Sequence, residues 1–338
     1  MNYRRLGSSG LLVSELALGT MIFGEDTGRG VDETVATRMI HQYLDAGGNF
    51  IDTANVYAAG RSEEITGRAL KGKRDQVVLA TKVRFSMGDG PNEQGLSRYH
   101  IQRSVEASLD RLQCESIDLL YMHCWDNLTP IEEALRAFDN LVRSGKVTYI
   151  GVSNFAAWQL MKALGLSDTN NWARFVAAQY QYSLVVRDIE YEFIDMFRQE
   201  RVGLVPWGAL GGGFLSGKYQ RDRPPQTPKE GRIAIMEDDT EEAWSRRNTE
   251  RNWRILDTIN EICKSHPGAY HSQISLAWLL SKPFISSVLI GAKTPEQLRD
   301  NLATVDLQLQ AEEIAQLDEV SGIPEMYPYR FIRETGIR

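Results

Sequence analysis

The sequence predicts an eight-stranded (β/α)8 barrel, and three observations predict it. Short apolar runs of strand type recur eight times, each separated from the next by a helical stretch. Those runs are apolar on both faces, as strands buried in a parallel sheet must be. The chain has 338 residues, 42% of them hydrophobic, enough for one barrel with insertions. A doubly wound open sheet is the second architecture compatible with the same rhythm.

The elements follow in order. Residues 1–13 read as a hairpin turning on Gly7-Ser8-Ser9-Gly10, with an open strand on each side. The first barrel strand is 16–20, and its helix, 32–46, is closed by Gly47-Gly48. Then come strand 50–54 with helix 62–70, strand 77–82 with helix 97–112, and strand 118–124 with helix 130–144. The second half continues with strand 147–152 and helix 156–164, strand 175–179 and helix 189–200, and strand 203–206. The rhythm breaks at 208–248, glycine-rich first and then rich in proline and charge; within it, 219–248 after the seventh strand is a long polar loop of the kind that forms a lid or is disordered. Helices 251–264 and 273–280, strand 288–290, a helix from Pro295 and a C-terminal tail complete one domain spanning 1–338.

Charge narrows the function classes. The net charge of -7 and the lack of a long basic run argue against nucleic acid or an anionic membrane as partner. A small molecule is the expected partner, and a homo-oligomer is compatible with this composition. The N-terminus lacks the apolar core of a signal peptide, and no run has the length of a spanning helix. Cys114, Cys124 and Cys263 form an odd, widely spaced set, which fits reduced thiols and a cytoplasmic protein.

In such barrels the chemistry sits at the carboxyl ends of the strands. Those ends carry Asp52, Lys82, His123, Ser153, Asn154, Gln179, Trp207 and Gly291. Phe50, Asp52 and Ala54 share one strand face, and a carboxylate in so apolar a run needs a partner. Lys82, two strand positions beyond Ala80, is the nearest candidate in the neighbouring run. Tyr57 lies just past the strand end, where a loop can aim its hydroxyl over a pocket. A phenol with a pKa near 10 keeps its proton at neutral pH. A nearby ammonium stabilises the phenolate and lowers that pKa, which suits a general acid at a carbonyl oxygen. His123 could hold the same oxygen. Taken singly, each residue also has a plain structural explanation: a solvated lysine, a core histidine, a loop tyrosine.

The motifs together resemble the aldo-keto reductase family. They are Gly48, Asn49, Asp52-Thr53-Ala54, Tyr57, Gly60, Ser62 and Glu63, then Lys82, then His123 within 121–126, and Gly151-Val152-Ser153-Asn154-Phe155. The match runs from Arg5 to about Asn301 and is closest to the branch holding bacterial general-purpose reductases and potassium-channel β subunits. The resemblance implies a (β/α)8 barrel and metal-free, NADPH-dependent carbonyl reduction, with NAD as the alternative cofactor. It also implies a catalytic tetrad of Asp52, Tyr57, Lys82 and His123, with Tyr57 the proton donor.

A cofactor site can be assembled on the same terms. Trp207 offers a flat face to a nicotinamide, and the family places carboxamide ligands at Ser153, Asn154 and Gln179. Gly208, Ala209, Leu210, Gly211, Gly213 and Lys218 belong to a glycine-rich stretch whose N–H groups can approach a pyrophosphate. Gly291, Lys293, Gln297 and Asn301 surround a helix start capped by Thr294, a place suited to an anion. Plain capping explains Thr294 and Gln297 equally well. Many relatives have an arginine where this chain has Gln297, so Lys293 and Arg232 are the expected phosphate partners. Thr20, Met21, Asp52 and Asp300 complete the expected cofactor contacts. The substrate mouth is expected at Phe23, Tyr57, Arg84, Phe85, His123 and Trp125, with Met21, Ile22 and the tail 326–329 nearby. A class I aldolase using Lys82 as Schiff-base nucleophile and a redox-sensing regulatory subunit are the competing functions. A metal hydrolase built on His123, Cys124 and Asp126 is remote.

Overall fold

A computed structural model describes residues 1–24, 30–227, 230–238 and 240–336. Of the predicted lid, residues 228, 229 and 239 lie outside the described residues. The hairpin pairs β1 (Tyr3–Arg5) with β2 (Leu12–Ser14). The barrel strands are β3 (Leu16–Gly19), β4 (Phe50–Asp52), β5 (Val78–Val83), β6 (Ile117–Met122), β7 (Val147–Ser153), β8 (Phe175–Gln179), β9 (Gly203–Leu204) and β10 (Val288–Ile290). They form one eight-stranded sheet in the order β10-β3-β4-β5-β6-β7-β8-β9, with every pairing parallel. A parallel bridge from Leu204 to Ile285 and the bond from Leu289 N–H to the Pro206 carbonyl (3.0 Å) join its two edges, so the sheet closes as a barrel.

Between successive barrel strands lie the helices α1 (Glu33–Asp45), α2 (Arg61–Ala69), α3 (Arg98–Leu112), α4 (Ile131–Arg143), α5 (Ala157–Asn170) and α6 (Phe193–Glu200). They are followed by α7 (Trp244–Arg247), α8 (Glu250–Ser265), α9 (His271–Leu280), α10 (Pro295–Leu302), α11 (Ala311–Val320) and α12 (Tyr329–Thr335). Asp32, Ser97 and Thr294 cap their helices through the side chain, the last as the sequence suggests. Helix α5 runs past the expected stop at Leu164 and ends only where Asn171 turns left-handed, at φ 53°. No described helix is long and apolar enough to cross a membrane.

Two apolar layers hold the fold. Leu16, Ile51, Leu79, Leu120 and Ile150 face outward into the helix layer, while Phe50, Ala80, Leu119, Tyr121 and Val205 fill the barrel interior. The hairpin plugs the end opposite the strand carboxyl termini, with Leu6 and Val13 in the interior cluster. Gly7 makes this possible: at φ +57°, an added Cβ would lie 2.1 Å from the Val176 carbonyl oxygen. Inside the barrel, Gly151 leaves room for the Tyr121 ring, which a Cβ would meet at 2.5 Å.

Candidate active site

Register places the first two polar groups. Asp52 stands opposite Ala80 on β5, and Lys82 follows two residues later on the same inward face. Both side chains are fully buried, and the Lys82 ammonium donates to Asp52 Oδ1, to the Thr53 carbonyl (2.8 Å) and to the Tyr57 hydroxyl (3.2 Å). Burial lowers the Lys82 pKa, but Asp52 and Tyr57 outweigh it and hold it above the usual lysine value. Burial pushes the Asp52 carboxyl up, offset in part by Lys82 and by Gln179, whose Nε2 donates to Asp52 Oδ2 at 2.8 Å.

Tyr57 begins a tight 3-10 turn after the strand, with Ala58 and Ala59 both left-handed (φ 48° and 53°). That strained turn aims the phenol back over Lys82, whose Nζ lies 4.8 Å from the ring centroid. The net effect on its acidity departs from expectation. Desolvation in the cleft, together with the Asp52 charge, raises the Tyr57 pKa by more than Lys82 lowers it, so the proton is held more tightly than in water. His123 lies one residue past β6, 5.9 Å from the Tyr57 ring and 4.7 Å from Phe85, edge-on to both. Burial, with Lys82 and Arg84 nearby, drives its pKa well below the usual histidine value, so the imidazole is neutral at pH 7.

These groups stand in a cleft of about 960 Å3. Of the expected cofactor residues, Met21, Asp52, Ser153, Asn154, Gln179, Trp207, Gly208, Ala209, Leu210, Gly213, Lys218, Arg232, Gly291, Lys293, Gln297, Asp300 and Asn301 line it. Thr20 and Gly211 do not. Thr20 is buried, its hydroxyl taken up by the Asp52 carbonyl and by Ser62 Oγ at 2.8 Å. Of the expected substrate residues, Tyr57, Phe85 and His123 line the cleft, but Phe23, Arg84 and Trp125 do not. Phe23 belongs to the outer apolar layer; Trp125 packs edge-on against Phe155 at 5.0 Å. Arg84 lies 5.2 Å from the Phe85 ring. The tail also turns elsewhere: Tyr329 stacks on Tyr191 at 5.4 Å.

The lid does cross the cleft. Arg232 reaches the sulfur of Met21 (3.6 Å) and is ion-paired with Glu242, a buried carboxylate that the sequence reading had not singled out. Ile22, expected near the substrate mouth, also lines the cleft, whereas sequence reading passed over Val56, Ser86 and Tyr270; apolar or neutral loop positions carry no chemical signature. His123, Cys124 and Asp126 do not converge. Cys124 Sγ faces the Asn154 carbonyl, and Asp126 accepts from Leu96 N–H and Thr129 Oγ1 in the neighbouring loop.

The residues present fit a nicotinamide dinucleotide. The indole N–H of Trp207 and Nδ1 of His123 are buried without a partner among the described residues. Gly208, Gly211, Gly212 and Gly213 all have positive φ, which keeps this stretch of backbone free of Cβ atoms beside the cleft. Burial, and then the charge of Lys293, lowers the pKa of Lys218, so two ammonium groups crowd one end of the cleft.

Comparison with known proteins agrees with this geometry. The family model "Aldo/keto reductase family" matches residues 15–321. The chain is 39% identical to an uncharacterized oxidoreductase, YrpG, of Bacillus subtilis, over 97% of this chain and all of that protein. It is 33% identical to a probable voltage-gated potassium channel subunit beta of Arabidopsis thaliana, over 98% of each. With norsolorinic acid reductase of Aspergillus flavus it shares 34% identity, over 99% of this chain and 85% of the relative. A closed parallel barrel, the convergence of Asp52, Lys82 and Tyr57 at its mouth, and similarity along nearly the whole length lead to one conclusion: this chain belongs to the aldo/keto reductase family.

Proposed function

We propose that this protein is an NADPH-dependent reductase of aldehydes or ketones in which Tyr57 donates the proton to the carbonyl oxygen. The observation that carries the reading is the Tyr57 hydroxyl 3.2 Å from a buried ammonium that a carboxylate holds charged. A reduced nicotinamide, when bound, supplies the hydride. Trp207 offers it a flat face, and Ser153, Asn154 and Gln179 are the polar groups within the cleft suited to its carboxamide. Lys218, Lys293 and Arg232 are the cations suited to its phosphates.

The proton transfer follows from the burial balance. Tyr57 keeps its proton until negative charge grows on the substrate oxygen; Lys82 then stabilises the phenolate left behind. Asp52 keeps Lys82 protonated throughout. His123, a neutral imidazole, can hold the carbonyl oxygen by a hydrogen bond without competing as an acid. Met21, Ile22, Val56 and Phe85 make the reacting end apolar, which favours aromatic or polycyclic carbonyls. An aldolase role for Lys82 finds no support. Its amine is fully buried and holds three acceptors, so no lone pair is available to attack.

The test is Tyr57→Phe. Turnover is expected to fall by roughly 100- to 10,000-fold, while NADPH affinity, read by quenching of tryptophan fluorescence, stays close to the parent's. Loss of binding and turnover together would count against the assignment.

A further inference from the structure

Gln179 makes a contact that cofactor binding does not require. Its Nε2 donates to Asp52 Oδ2 at 2.8 Å, across 127 residues of sequence, and both side chains are buried. The polarity of this bond is forced: a carboxylate only accepts, so the NH2 end of the amide must face Asp52. The amide oxygen and the second N–H are then the groups Gln179 has left, and the oxygen is the only acceptor it can offer a ligand in the cleft it lines. Its backbone is fixed as well. Ser153 Oγ donates to the Gln179 carbonyl at 2.6 Å, and Asn154 Nδ2 donates to Ser153 Oγ (2.8 Å) and to the His123 carbonyl (2.9 Å). One chain of hydrogen bonds therefore runs from the His123 backbone through Asn154, Ser153 and Gln179 to Asp52, Lys82 and Tyr57.

The geometry points to Gln179 as a positioning residue for proton transfer, acting through Asp52, and to Asp52 as the group that fixes which end of the Gln179 amide a cofactor meets. This rests on the reductase reading above. With Gln179 in place, Oδ2 is satisfied and Oδ1 is left for Lys82. Without it, the buried carboxylate has one donor fewer and becomes more basic, drawing the proton from Lys82 and weakening support for the Tyr57 phenolate. A residue that only bound the carboxamide would change cofactor affinity and the alignment of the hydride, but it would leave the pH profile where it was.

The experiment compares the full-length parent, Q179M and Q179E, using a carbonyl that the parent reduces. It measures kcat against pH at saturating NADPH, and NADPH affinity by tryptophan fluorescence. For Q179M, kcat is expected to fall by about 10- to 100-fold, with the alkaline limb of the profile moved to higher pH. For Q179E, turnover is expected to persist at low pH, where the introduced carboxyl carries a proton to donate to Asp52. It is then lost as pH rises and the two carboxylates repel. Weakened NADPH binding with both profiles parallel to the parent's would overturn the inference. Should Q179M fail to fold, the Q179E profile decides on the same criterion. A parent protein that oxidises NADPH with no carbonyl tested overturns the reductase reading instead.

Discussion

Replacing Lys82 by methionine separates the catalytic from the structural work of the buried ion pair. The ammonium stands 3.2 Å from the Tyr57 hydroxyl. At an effective dielectric near 20, a full charge at that distance stabilises the phenolate by about 5 kcal/mol. Only part of that reaches the transition state, so kcat should fall by roughly 100- to 10,000-fold, the usual share of general acid catalysis. Stability responds separately. Lys82→Met leaves the Asp52 carboxylate buried with Gln179 as its remaining side-chain donor, which costs about 3–5 kcal/mol. Adding Asp52→Asn removes the stranded charge, and the double variant should recover most of that stability and none of the activity. Urea denaturation and steady-state oxidation of NADPH measure the two effects. A Lys82→Met protein with kcat within about an order of magnitude of the parent's would refute the claim that this ammonium supports Tyr57.

Three further outcomes follow from the same contacts. His123 is neutral in the folded protein but takes up a proton near pH 6.5 when unfolded, so folding stability falls as pH drops through that value, by about 1.4 kcal/mol per pH unit. Denaturation midpoints for His123→Gln should decline less steeply below that pH; equal slopes would refute the neutral assignment. Glu242→Gln frees Arg232 and removes an anion from the cleft, so NADPH should bind several-fold tighter with a steeper salt dependence. Weaker binding would show that the pair is needed to hold the lid rather than in competition with phosphate. Lys293→Met should cost NADPH about tenfold in affinity and leave NADH nearly unchanged; equal losses would remove Lys293 from the 2′-phosphate site.

Much of the site was legible because its spacing follows from strand geometry. The period of two puts Phe50 and Asp52 on one face, and parallel register carries Lys82 to the same layer. Glycine-rich and capping patterns around Gly208 and Thr294 likewise belong to local backbone chemistry, and both ended in the cleft. Helix ends were less legible: α5 passes Gly165, where no neighbour crowds the backbone, and stops at Asn171 instead.

The sequence by itself determined the strand–helix alternation and the residue types at the strand ends, because these depend on local period and order; that the parallel sheet closes, rather than staying open, was decided by the contacts between its edge strands. Only the tertiary structure decided which polar groups are already engaged. Thr20 is taken up by Ser62, Arg232 by Glu242, and Gln179 by Asp52. It also decided that Tyr57 holds its proton more tightly than free tyrosine, since desolvation and the Asp52 charge together outweigh the neighbouring ammonium. The physical reason is the same in each case. Desolvation and hydrogen-bond pairing depend on groups brought together from distant parts of the chain, and no local pattern encodes their balance.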